Sequence, residues 1–250
     1  MTAAALQPTA WRRMLRHRLA WISLAFLSVM LVLALAAPLI ADLRGIDPTQ
    51  TDLFRRFEGP SAEHWLGTDD LGRDLFQRLL DGGRVSLLVG ISGAVLSAIL
   101  GAVIGVLAGY LGGRLDAFLM RLTDGVISLP LLPLLIVLAA VDPRKLGVPA
   151  EIAQSEMFSL YRIVVIVALT GWTTVARLVR AETLSLKARD FTRAAVALGA
   201  RPGRIMFRHI LPNTAGTLVV ATTMSVGTLI LFESTLSFLG LGIQPPAASW

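Results

Sequence analysis

Five long apolar runs set the pattern of the chain, at Leu19–Ala41, Val85–Tyr110, Ala117–Val141, Tyr161–Val179 and Thr214–Leu239. Each is long enough for a helix that crosses a bilayer, which takes about 20 residues. Most polar and charged residues fall between the runs. The pattern therefore predicts an all-α, polytopic transmembrane helical bundle with five visible spans. Ala34-Leu35-Ala36 resembles a signal-peptide cleavage site. The run that carries it is longer than the roughly 7–15-residue apolar core of a signal peptide, so it is read as a spanning helix.

Within the spans a few positions break the apolar rule. The second run carries a small residue every four positions, Gly93, Ser97, Gly101, Gly105 and Gly109. On a helix these form one groove in which another backbone can approach closely, and helix packing is the expected use. In the third run Arg121 and Asp124 lie three apart and can pair on one face. Pro130 and Pro133 each remove a helix donor and predict a kink in mid-span. A broken helix in lipid needs protein or water for its freed carbonyls, so that face is expected to point inward. Glu233 stands alone in the apolar stretch "TLILFESTLSFLGLG". At a rise of 1.5 Å per residue it lies roughly 28 Å from Thr214, near the far interface. Both a structural role and a place on a solute path fit it.

The polar segment "EHWLGTDDLGRDLFQRLLDGGRVS" predicts a short surface helix ahead of the second span. Asp69 or Asp70 can cap it, Leu71, Leu75, Phe76 and Leu79 form its apolar stripe, and Gly82-Gly83 is expected to end it. Asp69, Asp70, Arg73 and Asp74 form no recognisable catalytic constellation. The chain divides on this reading into residues 1–84, with the first span and this loop, and 85–250.

The segment "DFTRAAVALGARPGRIMFRHILPN" between the fourth and fifth runs is helical in pattern but not spanning. Phe191, Ala194, Ala195 and Leu198 fall at i, i+3, i+4 and i+7 on one stripe. Asp190 suits the N-cap and Gly199 the left-handed C′ position. Pro202 suits the first turn of a second helix, with Arg201, Arg204 and Arg208 on one side and Ile205 and Met206 on another. Pro212 is expected to end that helix. A short rigid helix with a small-residue face suits a groove on another protein, and an interfacial helix among lipid headgroups is the rival reading. The Ala194-Ala195 pair favours the protein groove, since lipid-inserting faces carry bulkier side chains.

Composition narrows the chemistry. The chain is 54% hydrophobic and 16% charged, with mean hydropathy +0.68. It has no cysteine, which removes disulfides, thiolate metal sites and cysteine nucleophiles together. His17, His64 and His209 show no metal-ligand spacing. The net charge of +6 is a matter of topology rather than nucleic acid. Arg12, Arg13, Arg16 and Arg18 precede the first span, and no acid occurs in the first 41 residues. Lys187, Arg189, Arg193, Arg201, Arg204 and Arg208 face only Glu182 and Asp190 in the loop before the fifth span. Residues 42–84 hold nine acids and six Arg, and residues 142–156 three acids and two basic residues. The positive-inside rule then places the N-terminus and the 182–213 loop in the cytoplasm.

The stretch "RAAVALGARPGRIMFRHILPN" resembles the EAA loop of ATP-binding-cassette importer permeases, with Ala194, Ala195, Gly199, Leu211 and Pro212 at the matching places. "HWLGTDDLGRDLFQRLLDGGRVSLLVG" and "SFLGLGIQPPAASW" resemble the C-type permease subunits of dipeptide, oligopeptide and nickel importers. The three stretches occur in the family's order and span nearly the whole chain. The resemblance implies a core permease domain over 85–250. Its coupling helix, near 190–199 and carried by Asp190, Phe191, Ala194, Ala195, Leu198 and Gly199, docks on a cytoplasmic ATPase. It also implies a second permease subunit, two ATP-binding subunits, a periplasmic or lipid-anchored substrate-binding protein, and a place in the bacterial inner membrane. Small peptides are the substrate it favours, with nickel, a metal chelate or glutathione as alternatives. Arg193 stands where the broader motif has Glu, so no role of that carboxylate carries over. The family also continues past "PPAASW" into a sixth span. No G-x-x-x-x-G-K-[ST] occurs, and the only lysines are Lys145 and Lys187. ATP and Mg are thus expected on partner subunits, with no cofactor or metal on this non-catalytic chain. An ion-driven secondary transporter and a transport-free scaffold are the rival classes, with Glu233 the one residue in favour of the former.

Overall fold

The computed structural model describes residues 18–153, 155–243 and 248–250. Arg12, Arg13, Arg16 and the Gln244–Ala247 part of the last motif lie outside them. Helices carry the structure, in two compact units, 1–84 and 85–250.

In the first unit, α1 (Arg18–Arg44) buries only small residues, Ala34, Ala37 and Ala41, and leaves Leu, Val and Phe exposed. That is the inverse of a helix in water and suits a lipid surround. The loop beyond α1 is held by charge. The Asp74 side chain is fully buried and accepts from Arg44 at 3.1 and 3.3 Å and from His64 Nδ1 at 3.0 Å. The Arg44 guanidinium also donates to the Glu63 carbonyl at 2.8 Å and lies 4.5 Å from the Trp65 ring centre. Burial pushes the Asp74 carboxyl up, but hydrogen bonds from Arg44, the Gln77 N–H and His64 outweigh it and hold the group below the usual 3.8.

The cap of the next helix is Asp74, not Asp69 or Asp70: its Oδ1 accepts the Gln77 N–H at 2.7 Å. Asp69 instead closes the turn before it, accepting the N–H groups of Leu71 and Arg73, both at 2.9 Å. Gly82-Gly83 does not end that helix, since α2 runs from Leu75 to Leu111. Two helical glycines cost about 1 kcal/mol each relative to alanine, and both are buried in a long helix whose packing outweighs that. The expected stripe is divided: Leu75 and Leu79 are exposed, Leu71 and Phe76 are half-buried, and Gln77 and Leu80 take the buried positions.

In the second unit α2 continues against α5 (Glu156–Lys187) and α7 (Pro202–Phe238). Val89, Val167 and Leu229 meet in one apolar core, and Val106, Val179 and Ile210 in another. Between α2 and α5 lie α3 (Gly113–Ser128) and α4 (Leu131–Ala140), bent by 89° at Leu129-Pro130. The proline pair therefore breaks the span outright rather than kinking it. A third core, with Leu135, Ala139, Ile166 and Leu236, joins α4 to α5 and α7. Among the described residues four helices are long and apolar enough to cross a membrane, five when the bent pair counts as one.

Candidate functional site: a loop helix, a broken span and a buried carboxylate

The loop between α5 and α7 forms one more helix, α6 (Asp190–Ala197). Its cap is Arg189, without a side-chain bond, and Asp190 is its first residue. An acid there still faces the positive end of the helix dipole. Gly199 has φ +80°, and the turn around it carries a Schellman pair: Gly199 N–H donates to Val196 O at 2.9 Å and Ala200 N–H to Ala195 O at 3.0 Å. Thr192 is buried and donates to Leu186 O at 2.8 Å, which fixes the base of α6 to the end of α5. Ala195 packs on the core that includes Ile205 and Ile210.

The predicted stripe is therefore divided. Ala195 turns inward, while Phe191 (42% exposed), Ala194 and Leu198 (88% exposed) face outward with Val196. Lys187 Nζ donates to the Tyr110 carbonyl at 2.6 Å, so the end of α2 is tied to the same corner. Arg193 is exposed and pairs with no acid among the described residues; nothing in the structure explains it.

Pro202 occupies the first turn of α7 as expected. Pro212 does not end this helix. The chain passes it in a π turn over Met206–Ile210 and a 3₁₀ turn over Leu211–Thr214, then continues as α-helix to Phe238. The wider turn relieves the clash of the proline ring with the preceding carbonyls, and Asn213 Nδ2 donates to His209 O at 2.6 Å. Arg201, Arg204 and Arg208 are exposed, opposite the buried Ile205, Met206 and Ile210.

The ladder on α2 meets α5 directly. A Cβ on Gly101 would stand 2.6 Å from Val175 Cβ, one on Gly105 2.6 Å from Ala176 O, and one on Gly109 2.7 Å from Thr183 Cβ. Ser97 Oγ donates to Ala168 O at 3.3 Å. Gly93 sits more loosely, its nearest neighbour being Leu229 Cδ1 at 3.4 Å.

Glu233 is fully buried in α7. Its two oxygens accept from Ser86 Oγ and Ser237 Oγ, each at 2.8 Å. Ser86 Oγ in turn accepts the Trp250 N–H at 3.1 Å, and Ser237 Oγ the Ile243 N–H at 3.3 Å. The carboxylate thus gathers α2, the end of α7, Ile243 and Trp250. Sequence reasoning missed Ser86 and Ser237, because an isolated serine carries no spacing signal.

Arg121 and Asp124 do not pair. Asp124 binds Arg177 of α5 at 2.5 Å, and Asp116 binds Arg180 at 2.5 and 2.6 Å. Partners on a facing helix displaced the local one. Among the described residues no group of three or more His, Cys, Asp or Glu could hold a metal ion.

Residues 101–250, which include the loop helix, the broken span and Glu233, match the family described as the inner membrane component of binding-protein-dependent transport systems. The chain belongs to that family. Residues 9–60 match the N-terminal transmembrane domain of oligopeptide transport permease C. The oligopeptide transport system permease protein OppC of Bacillus subtilis is 36% identical over 241 residues, 96% of this chain and 73% of that protein. The dipeptide permease DppC of the same organism is 38% identical over 241 residues, 96% of this chain and 70% of that protein. DppC of Alkalihalophilus pseudofirmus is 36% identical over 249 residues, 100% of this chain and 76% of that protein. This permease is a multi-pass membrane protein of the C-type, and the resemblance read from its three motifs holds.

Proposed function

We propose that this permease is one of two membrane subunits of an ATP-driven importer of small peptides in the bacterial inner membrane. Two cytoplasmic ATP-binding subunits and an external binding protein complete it. The basic residues before the first span and in the α5–α7 loop support a cytoplasmic side for both. The observation that carries the coupling role is α6 itself. Its base is fixed by Thr192 and Ala195, while Phe191, Ala194 and Leu198 are offered to a partner. Closure of the ATPase pair pushes on α6, and because α6 is anchored to α5 the push rocks the spans toward an outward opening. ATP and Mg stay on the partner subunits, and this chain performs no chemistry. The names of the relatives, oligopeptide and dipeptide permeases, support peptides as the solute.

Replacing Gly199 tests this reading. A bulky L-residue at a left-handed position costs about 1–2 kcal/mol, too little to unfold a domain but enough to re-aim α6. In the transporter purified from its own membranes, Gly199→Val is expected to insert and assemble. It should hydrolyse ATP without the matching peptide uptake. Uptake per ATP equal to that of the unaltered protein overturns the coupling assignment.

A further inference from the structure

The two halves of the broken span are held in different ways. Leu135 and Ala139 set α4 into the third apolar core. Among the described residues none of the three cores takes a side chain from α3, and Thr123 is the one residue of α3 that is buried. Even the Thr123 hydroxyl serves its own helix, donating to Leu119 O at 2.8 Å. Leu115, Phe118 and Leu122, at i, i+3 and i+7, form an exposed stripe. What ties α3 to its neighbour is charge. Among the described residues its side chains reach another element by hydrogen bond only through Asp116 to Arg180 and Asp124 to Arg177, both on α5.

Both ends of α3 are joints. Gly112 and Gly113 have φ of +70° and +61°, and nothing lies within 4 Å of a Cβ on either. Leu129-Pro130 closes the other end in the 89° bend. A rigid segment between two such joints turns as one piece when its ties open. The ties are unequal. Arg180 grips Asp116 by two bonds, Nε to Oδ1 at 2.5 Å and Nη2 to Oδ2 at 2.6 Å, and the side chains are 31% and 17% exposed. Arg177 holds Asp124 by one bond, at 2.5 Å, with both side chains half-exposed. A forked pair is strong, whereas a solvated single one contributes little and opens readily. Met120, Asp124, Arg177 and Arg180 bound a cleft of about 400 Å³. Arg177 stands ten residues before Lys187, the last of α5, or about 15 Å along the axis. A half-exposed charge at that depth is costly against hydrocarbon, so this side of α3 and α5 is turned to water or to protein.

We propose that Asp124 and Arg177 form a releasable latch, that Asp116 and Arg180 form the pivot, and that α3 swings on that pivot in each transport cycle. Arg177 belongs to the helix whose end fixes α6, so a push on α6 reaches the latch along a single helix. Asp124 and Arg177 are positioning residues: they act through α3 and make ATP use depend on solute. The inference rests on the coupling reading of α6 but not on the peptide assignment.

The test uses the assembled transporter in inside-out membrane vesicles. Asp124→Asn and Arg177→Gln are each expected to accumulate and assemble normally, to hydrolyse ATP several-fold faster without solute, and to take up several-fold less radiolabelled trialanine per ATP. The exchanged pair, Asp124→Arg with Arg177→Asp, should restore both values. A merely structural pair would lower uptake and hydrolysis together and leave their ratio alone. An unchanged ratio in both single variants, or an exchanged pair no better than they are, overturns the proposal. A second measurement follows α3 directly. Met120 lines the cleft, and the chain has no cysteine of its own, so maleimide label on the gel band of Met120→Cys reports that position alone. Its labelling rate is expected to change several-fold between the nucleotide-free and the vanadate-trapped transporter, and Asp124→Asn to abolish the change. Equal rates in the two states overturn the latch. If Gly199→Val leaves coupling intact, α6 loses its role and the Met120→Cys rates alone decide the motion of α3. A transporter that takes up no trialanine removes the peptide assignment, and the labelling and ATP hydrolysis still decide the latch.

Discussion

The α2–α5 seam and the α6 turn both depend on glycine, for opposite reasons. At Gly101, Gly105 and Gly109 a Cβ would fall 2.6–2.7 Å from atoms of α5, so the need is for space. At Gly199 nothing lies within 4 Å of such a Cβ, and the need is for the φ of +80°. The seam is closed by its own chain and has no surface left to offer. The α6 turn is built to hold a short helix still while its outer face stays open. Packing and presentation therefore occupy separate places on the same corner of the molecule, and substitutions should separate them.

The largest effect is expected at the seam. In Gly105→Val the new Cβ meets the Ala176 carbonyl at 2.6 Å and Val179 Cβ at 2.8 Å, and backbone cannot yield as a flexible side chain can. Overpacking of this kind costs about 1–3 kcal/mol per site and more where backbone must move. The variant should fail to accumulate in membranes, measured by quantitative blot and by detergent melting, and Val179→Ala should restore part of the loss. Normal accumulation with an unchanged melting temperature would falsify the close-contact account of the seam.

A second effect, confined to one loop rather than to the helix bundle, sharpens the contrast between closure by size and closure by charge. In the first unit the buried Asp74 is held by Arg44 and His64 rather than by shape. Removing one partner of a buried pair costs about 3–5 kcal/mol, since it strands the other, so Asp74→Asn should lower the stability of the loop by that order. The carboxyl is held below its unfolded value of 3.8, so its contribution is fully present above that value. It is lost as the pH falls through the lower folded value. Trp65 stacks on Arg44, so its fluorescence should report loop melting that is flat down to about pH 4 and falls below it. A melting profile that declines already between pH 7 and 5 contradicts this.

Four spans and the apolar run of the bent α3–α4 pair were legible because apolar length is a local property, and α6 because its stripe and glycine stop lie within ten residues. What could not be read was where helices continue. Gly82-Gly83 and Pro212 are local stop signals, and tertiary packing overrode both, in one case by burying the glycines and in the other by widening the turn to π geometry. Partner choice was equally hidden: Asp124 ignores Arg121 at i−3 for Arg177, 53 residues away.

The smallest effect on folding is expected on the open face, and there it discriminates most. Leu198 is 88% exposed and follows the last residue of α6, so Leu198→Asp creates no cavity and breaks no hydrogen bond made by a side chain. Surface substitutions of this kind stay within about 0.5 kcal/mol, so accumulation and melting should match the unaltered protein. If Phe191 and Leu198 seat in an apolar groove on an ATPase, an unpaired carboxylate there must be desolvated without a partner. Co-purification of the ATP-binding subunits should then drop several-fold while the second permease is retained. If instead α6 lay in lipid headgroups, the same substitution would loosen membrane contact and leave the ATPase attached. Normal recovery of both partners, together with normal uptake, would return Leu198 to an ordinary exposed side chain and leave the α6 face without its assigned dock.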